Sequence, residues 1–507
     1  MSILVVDLEK ESIKVDSDIN TSPFRLLNVL GKKYDEYIAF SSAEDSEKDS
    51  VSLIGFSSIP LGKKISTYIS SNISAILKYY GYSALIITGR AKRLLYLSVS
   101  GSGVSLLPSA SGLSQNEFIS SYLKSGEVAI LTGISAERKS LFSAAYLNER
   151  EILSSLYLGY LMALMGLKAV VFNPGIKKNG NLSPFFLARL EKTRLYKSLK
   201  RDGSAMAICD ASRISYMPVD NFSRRFDARA ICLDGQYLKE RFGLYASTCT
   251  SCPVSCLRYI KDYSYAPTLR TCMALGSKND IFSITKVVKI AKILSDYGLD
   301  TILSSAYLAD NKIRDEEEIK SACILLSSGR NMYYTPLFQM GGRIIETDLR
   351  GSYEDALFYI LGEVAEPKYT RYLRLRIKRE DIAAILALYE RVYTRALADR
   401  NLPIMCSYIS YISTLPRICF KSRALLRWTM RHVKMHMLAT KNLLSEGLDI
   451  LNMEEDERNR IPDHFIYSID PDIDGNRSIS ESRLISCYYD EKRRLERYLL
   501  KRGKRSK

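Results

Sequence analysis

Three cysteines crowd one octapeptide, Cys249-Thr-Ser-Cys252-Pro-Val-Ser-Cys256. The C-x-x-C-x-x-x-C spacing lets a short loop turn three thiolates inward around one metal centre, with Pro253 stiffening the curve. Core packing explains them poorly, because thiols buried as small apolar groups have no need to be neighbours. Cys249, Cys252 and Cys256, with a fourth thiolate from elsewhere, would make the ligand set of a [4Fe–4S] cluster. Zinc sites more often join two separated C-x-x-C pairs, and the chain has no second pair. The radical-SAM order, three residues then two, is the reverse of the order here. Read locally, the next cysteine, Cys272, is the nominee for the fourth ligand. His432 and His436 lie four apart on a predicted helix, but no third ligand stands near them, so they read as surface or packing residues.

The elements that must position this loop divide unevenly along the chain. The first part is strand-rich. Ile3–Leu8 and Ser12–Asp16 predict a hairpin around Glu9-Lys10-Glu11. Further strands are predicted at Val51–Phe56, Ala84–Thr88, Leu94–Val99, Val104–Leu107, Glu127–Thr132 and Ala169–Phe172. Ile65, Ile69, Ile73, Ile76, Leu77 and Tyr80 recur near the helical period, which predicts an amphipathic helix over Lys64–Tyr80 stopped by Gly81. A second helix is predicted over Arg150–Met165. From about Gly180 the pattern turns helical. Ser283 can cap a helix over Ile284–Tyr297 that Gly298 ends. Other helices are predicted at Glu316–Leu326, Tyr353–Val364, Arg379–Ala398, Leu425–Leu444 and Asp490–Leu500, and no internal repeat is visible. The fold class is therefore α+β: a sheet-rich N-terminal domain over 1–178, then two mostly α-helical domains over 179–375 and 376–507.

At 507 residues the chain exceeds one ordinary core. The apolar run Leu156–Leu167 is too short to span a bilayer, so no membrane segment is expected. Met1–Glu9 reads as a strand and not as a secretory leader, and ten cysteines then imply reduced thiols and a cytoplasmic address. The net charge is +17, of which Glu491–Lys507 supplies +7 through nine Lys/Arg and two Asp/Glu. That tail has no interleaved aromatic platform for nucleic acid, so a solvated end is the simpler reading. A basic surface also suits docking of an acidic electron carrier. Thirty-four Tyr against one Trp, with plentiful Ile, Lys and Arg, suits a thermophile.

Several stretches, taken in order, resemble the aldehyde ferredoxin oxidoreductase family of tungsten–pterin enzymes. Cys249 to Cys256 followed by Arg258-Tyr259 is similar to the family's C-x-x-C-P-[IV]-x-C-x-R-Y segment. Met217-Pro218-Val219-Asp220-Asn221-Phe222 resembles L-P-x-x-N-F, and Gly298-Leu299-Asp300-Thr301-Ile302 resembles the G-L-D-T-I of a pterin-binding turn. Gly81–Gly89 resembles the strand G-Y-x-x-I-I-I-x-G, and Gly166-Leu167-Lys168-Ala169-Val170 the end of the first domain. The resemblance implies oxidation of an aldehyde to a carboxylic acid, with a tungstopterin or molybdopterin, a [4Fe–4S] cluster, and ferredoxin as electron acceptor. It implies that Gly298 and Asp300 help hold pterin, and that Arg258 places positive charge near the cluster. It also implies that the fourth thiolate is Cys406, in the late turn Asn401-Leu402-Pro403-Ile404-Met405-Cys406, with Cys272 in reserve. The oligomeric expectation is a homo- or hetero-oligomer.

The departures from the pattern fall where the family does its chemistry. Asn401 and Ile404-Met405 stand for the Asp and Gly-Leu of the late turn, and Ser295 for the first Asp of the earlier one. The Gly-rich segment before Lys168 has become Leu158-Gly159-Tyr160-Leu161-Met162-Ala163-Leu164-Met165, too bulky to admit a pterin phosphate easily. The G-P-E-Y-E-T stretch is Ala266-Pro267-Thr268-Leu269-Arg270-Thr271, without carboxylates, and no histidine precedes His432. General acid–base work on an aldehyde hydrate needs a tunable group, and the expected places offer none. A second expectation stands beside the enzyme: a paralogue that keeps the fold and the cluster as an electron-transfer or structural subunit.

Overall fold

The structure, a computed structural model, describes residues 2–16, 33–41, 52–69, 71–175, 194–213, 215–247, 255–261, 264–330, 334–340, 343–349 and 485–490, with a few isolated positions elsewhere. Strands β1 (Ser2–Asp7), β2 (Ser12–Asp16), β3 (Tyr37–Ser41), β4 (Ser52–Ser58), β5 (Lys63–Ile69) and β6 (Tyr82–Thr88) form one sheet, in the order β2-β1-β6-β3-β4-β5. Strands β7 (Leu95–Ser100), β8 (Gly103–Pro108), β9 (Val128–Thr132), β10 (Ala145–Leu147), β11 (Arg150–Ile152) and β12 (Leu167–Phe172) form a second, in the order β8-β7-β12-β9-β10-β11. The two orders are the same plan. Each sheet opens with an antiparallel hairpin, and its last strand returns parallel to the first strand of that hairpin. A helix precedes each return strand: α1 (Ile73–Tyr79) before β6, and, beyond the intervening α2 (Gln115–Tyr122), α3 (Leu158–Met165) before β12. The sheet-rich half is thus a duplicated unit, which the sequence reading did not detect.

The sheets share one apolar core. Leu4, Val6, Phe40 and Ile54 of the first sheet and Leu97, Ile130, Val170 and Phe172 of the second belong to it, with Ile76 of α1 and Leu161 and Met162 of α3. Phe40 and Phe172 meet edge to face at 5.4 Å across the layer. Lys168 is fully buried in β12; its ammonium meets Glu137 at 2.7 Å and the Leu113 carbonyl at 2.6 Å.

Two helix expectations are corrected here. Within Lys64–Tyr80 only Ile73–Tyr79 is helical, and Lys63–Ile69 is an edge strand in register with β4 from Ser58↔Lys63 to Ser52↔Ile69. Apolar residues four apart satisfy a strand as well as a helix, and β-branched Ile65, Thr67 and Ile69 favour the strand. Within Arg150–Met165 the first three residues are β11, and Leu153, Ser155 and Tyr157 then take φ of 52°, 65° and 64°. A right-handed helix cannot run through such residues, so α3 begins only at Leu158.

Beyond the sheets the described chain is mostly helical. Helix α4 (Arg194–Asp202) leads in. Helix α5 (Ile284–Asp296) is capped by Ser283 as expected, and α7 (Glu316–Ser327) by Asp315. Between them α6 (Thr301–Asp310) is an element the sequence reading passed over as part of a turn. Small strands β13 (Tyr245–Ser247), β14 (Leu257–Ile260) and β15 (Ser264–Tyr265) form an antiparallel sheet, and β16 (Gln339–Met340) pairs with β17 (Arg343–Ile344). The helices expected at Arg379–Ala398 and Leu425–Leu444, all of Tyr353–Val364 but Ala356, most of Asp490–Leu500, His432 and His436 lie outside the described residues. Among the described residues no helix is long and apolar enough to cross a membrane.

Candidate functional site

The cysteine segment joins two paired strands. Ser247 of β13 opposes Leu257 of β14, so the chain leaves the small sheet just before Cys249 and re-enters it just after Cys256. Cys249, Cys252 and Cys406 lie outside the described residues, and Cys256 is half-buried. Among the described residues no three His, Cys, Asp or Glu side chains gather to hold a metal. Arg258 is almost fully buried, and its guanidinium donates to the carbonyls of Leu199, Lys200, Ser255 and Leu257. It fastens the end of the cysteine segment to two carbonyls in the last turn of α4. Cys272 sits in the helical-domain core at 0% exposure, and burial pushes its thiol far above the ordinary range.

The turn from Ser295 to Asp300 lies against the second sheet's surroundings. Gln115 of α2 donates to the Ser295 carbonyl and hydroxyl, both at 2.8 Å. The Gly298 carbonyl accepts from Ser135 Oγ at 2.6 Å and from the Ala144 amide at 2.9 Å. Gly298 has φ of +70° and faces Gly133 so closely that a Cβ on it would lie 2.7 Å from Gly133 Cα. Both glycines are required by this approach of two backbones. The amides of Gly298, Leu299 and Asp300 donate to Ser295, Leu294 and Phe142. Asp300 caps α6 through the amides of Ile302 and Leu303 with Oδ1, and Oδ2 accepts from the Ser155 amide at 2.7 Å.

Beside this turn a cavity of about 400 Å³ opens between the second sheet and the helices, lined by Tyr146, Arg150, Glu151, Thr268, Arg270 and Thr301 among others. Glu151 accepts from the Thr301 amide at 2.8 Å, the Thr301 hydroxyl, and Ser154 Oγ at 2.7 Å. Arg270 makes a two-pronged pair with Glu346, whose Oε1 also accepts from Ser155 Oγ. Burial raises Asp300 to about 7, and the neighbouring Glu151 charge adds to the rise. Burial raises Glu151 as well, against the donors on Thr301 and Ser154 and the charge of Arg270. Two carboxyls this close and this dry do not both ionise readily, so the pair holds a proton towards neutral pH. Glu151 was not among the sequence candidates; only its contacts across 150 residues reveal it.

A family model for "Aldehyde ferredoxin oxidoreductase, N-terminal domain" matches residues 50–174, and one for "domains 2 & 3" of the same enzyme matches residues 186–312. The chain belongs to the aldehyde ferredoxin oxidoreductase family. Within the family it is divergent. It is 23% identical over 254 residues to the tungsten-containing aldehyde ferredoxin oxidoreductase of Pyrococcus horikoshii, covering 46% of this chain and 42% of that one. The Pyrococcus abyssi enzyme of the same name gives 23% over 257 residues, with the same shares. The match therefore spans about two-fifths of the length of these curated relatives. A solved chain of the active site complex BamBC of benzoyl coenzyme A reductase, in complex with 1,5-dienoyl-CoA, superposes with a TM-score of 0.62 at 13% identity, covering 97% of this chain and 94% of that one. That likeness establishes a shared α+β fold.

Family membership makes the Ser295–Asp300 turn the place to test for a pterin. From Gly298 to Leu303 every backbone amide already has an acceptor inside the protein. Both Asp300 oxygens are committed, and Ser295 is tied to Gln115. A pterin ring read by hydrogen bonds to this turn would meet spent donors, so the turn does not fit the group.

Proposed function

We propose that this chain keeps the family's fold and an electron-carrying [4Fe–4S] centre on Cys249, Cys252, Cys256 and Cys406, but does not oxidise aldehydes through a pterin of its own. It serves as an electron-transfer or structural subunit, alone or with other chains, and exchanges electrons with ferredoxin or a similar acidic carrier. The single observation that carries this is the closed turn at Ser295–Asp300, where every backbone amide from Gly298 to Leu303 already has an acceptor inside the protein. The placement of Cys256 at the foot of a paired β-hairpin, with Arg258 tying that foot to α4, supports a loop built for thiolate ligands. The net charge of +17 supports an acidic partner.

A second reading, oxidation of an aldehyde to its acid, is favoured by the cavity and by the proton-holding pair Glu151–Asp300, of which Glu151 lines it. Metal and sulfide analysis of anaerobically purified protein separates the two. The first reading expects about four iron and four sulfide per chain, with tungsten and molybdenum far below stoichiometry. Either metal near one per chain, with the fluorescence of an oxidised pterin in the acid extract, would establish the second. Zinc in place of iron would sink both.

A further inference from the structure

Asp220, Asn221 and Phe222, in the stretch that resembles L-P-x-x-N-F, hold φ of 45°, 49° and 70° in succession. None is glycine, and left-handed backbone in three such residues running is strained. Strain of this kind persists only where the surroundings impose it, and it gathers at functional sites. Here the imposing partner is Ser277–Lys278: the amides of Asp220 and Asn221 donate to the Ser277 and Lys278 carbonyls at 2.9 and 2.7 Å. The result sets the Phe222 ring beneath the Lys278 ammonium, 5.4 Å from centroid to Nζ.

Lys278 is 3% exposed, and among the described residues its amine has neither a hydrogen bond nor an ion pair. A buried lysine in that condition is unusual, because an unpaired buried charge is costly. Asn221, whose amide donates to the Lys278 carbonyl, carries a second unmet atom. Asn221 donates from Nδ2 to Asp310 Oδ1 at 2.9 Å, while its Oδ1 is buried and receives no donor. Asp310 is in turn held by Tyr334 Oη at 2.6 Å and the Leu337 amide at 2.9 Å. Burial lowers the Lys278 amine to about 8, and the charges of Asp310 and Glu346 pull the other way. A large share of the amine is therefore neutral and nucleophilic in mildly alkaline water.

The charges choose the ligand class. An anion would be repelled by Asp310 and Glu346, and a cation by the amine in its charged form. A neutral electrophile meets neither objection, and neutral buried lysines are the ones that form Schiff bases. We propose that Lys278 is a covalent site for a small carbonyl compound, held as an imine. The Nζ lone pair attacks the carbonyl carbon, and the oxygen takes up the proton that nitrogen loses. The resulting hydroxyl donates to Asn221 Oδ1, the acceptor without a partner. Loss of water then leaves the imine, so the sum is amine plus carbonyl giving imine plus water, with no oxidant or reductant. Lys278, Asn221, Phe222 and Asp310 are not among the residues that line the cavity beside Glu151.

Reductive trapping tests it. The full-length protein, purified anaerobically, is incubated with propionaldehyde at pH 8, reduced with cyanoborohydride and mapped by mass spectrometry. Lys278 should be propylated at roughly a tenfold lower aldehyde concentration than the partly exposed Lys292 and Lys320, which are held in ion pairs with Asp296 and Glu317. Lys278→Arg should abolish that labelling and leave the other two unchanged. Lys278 left unmodified in the wild-type protein, or modified no sooner than Lys292 and Lys320, would overturn the assignment without reference to any variant.

Discussion

Single residues decide most of what is specific to this protein. Lys278 has a direct thermodynamic signature. Its folded value of about 8 lies below the ~10.4 of an unfolded lysine. Below pH 8 both states carry the proton and the burial cost is present in full, set against the attraction of Asp310 and Glu346. Between about 8 and 10.4 only the unfolded chain holds the proton, so stability rises with pH. Lys278→Met should therefore stabilise the protein at pH 7 by up to about 3 kcal/mol, a gain that shrinks to nothing above pH 10.5. Denaturant titrations of both proteins at pH 7 and 10.5 measure it, and an equal effect at the two pH values would exclude the buried charge as its cause. The cysteines make a second prediction. Cys406→Ser should cost the protein its iron, while Cys272→Ser should keep it, because Cys272 is a packed core thiol that burial holds protonated. Iron content and the visible absorption of the two variants check this; the reverse pattern would hand the fourth position to Cys272. The cysteine spacing was legible in the sequence because three thiols close together have few other uses. Glu151 and Lys278 were not, since a lone Glu or Lys carries no sign of what covers it.

At the scale of elements, the closest engagement is backbone on backbone. Gly298 ends α5 and meets Gly133 at a separation that admits no side chain on either residue. Gly298→Ala adds a methyl 2.7 Å from Gly133 Cα and forces alanine into left-handed backbone. The sum of strain and overpacking should cost about 2–4 kcal/mol. A shift of the denaturation midpoint towards lower denaturant measures it, and a shift too small to resolve would mean the two turns part easily. The sequence anticipated Ser283 as the cap of α5 and Gly298 as its end, because caps and stops are local chemistry. It misjudged Lys64–Tyr80 and Arg150–Met165. In the first, isoleucines four apart serve a strand and a helix equally until β4 supplies a partner. In the second, residues with ordinary side chains adopt the left-handed shapes that usually announce themselves as glycine.

On the scale of the whole molecule, an α+β arrangement with sheets first and helices after was readable, because periods of two and of 3.6 separate along the chain. Its duplication was not. β1 and β7 occupy the same place in their sheets, yet Ser-Ile-Leu-Val-Val-Asp and Leu-Tyr-Leu-Ser-Val-Ser share little beyond their role. What two sheets need in common is a pattern of burial and a return strand, and many sequences supply both. The duplication has a practical corollary. The stretch 89–94 between β6 and β7 is a seam: on either side every ladder closes within its own half, so scission there severs no strand pairing. What crosses the seam is mainly the greasy layer containing Phe40 and Phe172, with the Tyr80 hydroxyl on the Asn173 carbonyl and the Arg93–Glu11 ion pair beside it. Pieces 1–90 and 91–507, made apart, should each precipitate, yet made together in one cell they should mate into a soluble whole recoverable through a tag on either piece. The protein would then be a natural candidate for a split reporter, its two parts laddered within and held to each other chiefly by apolar packing.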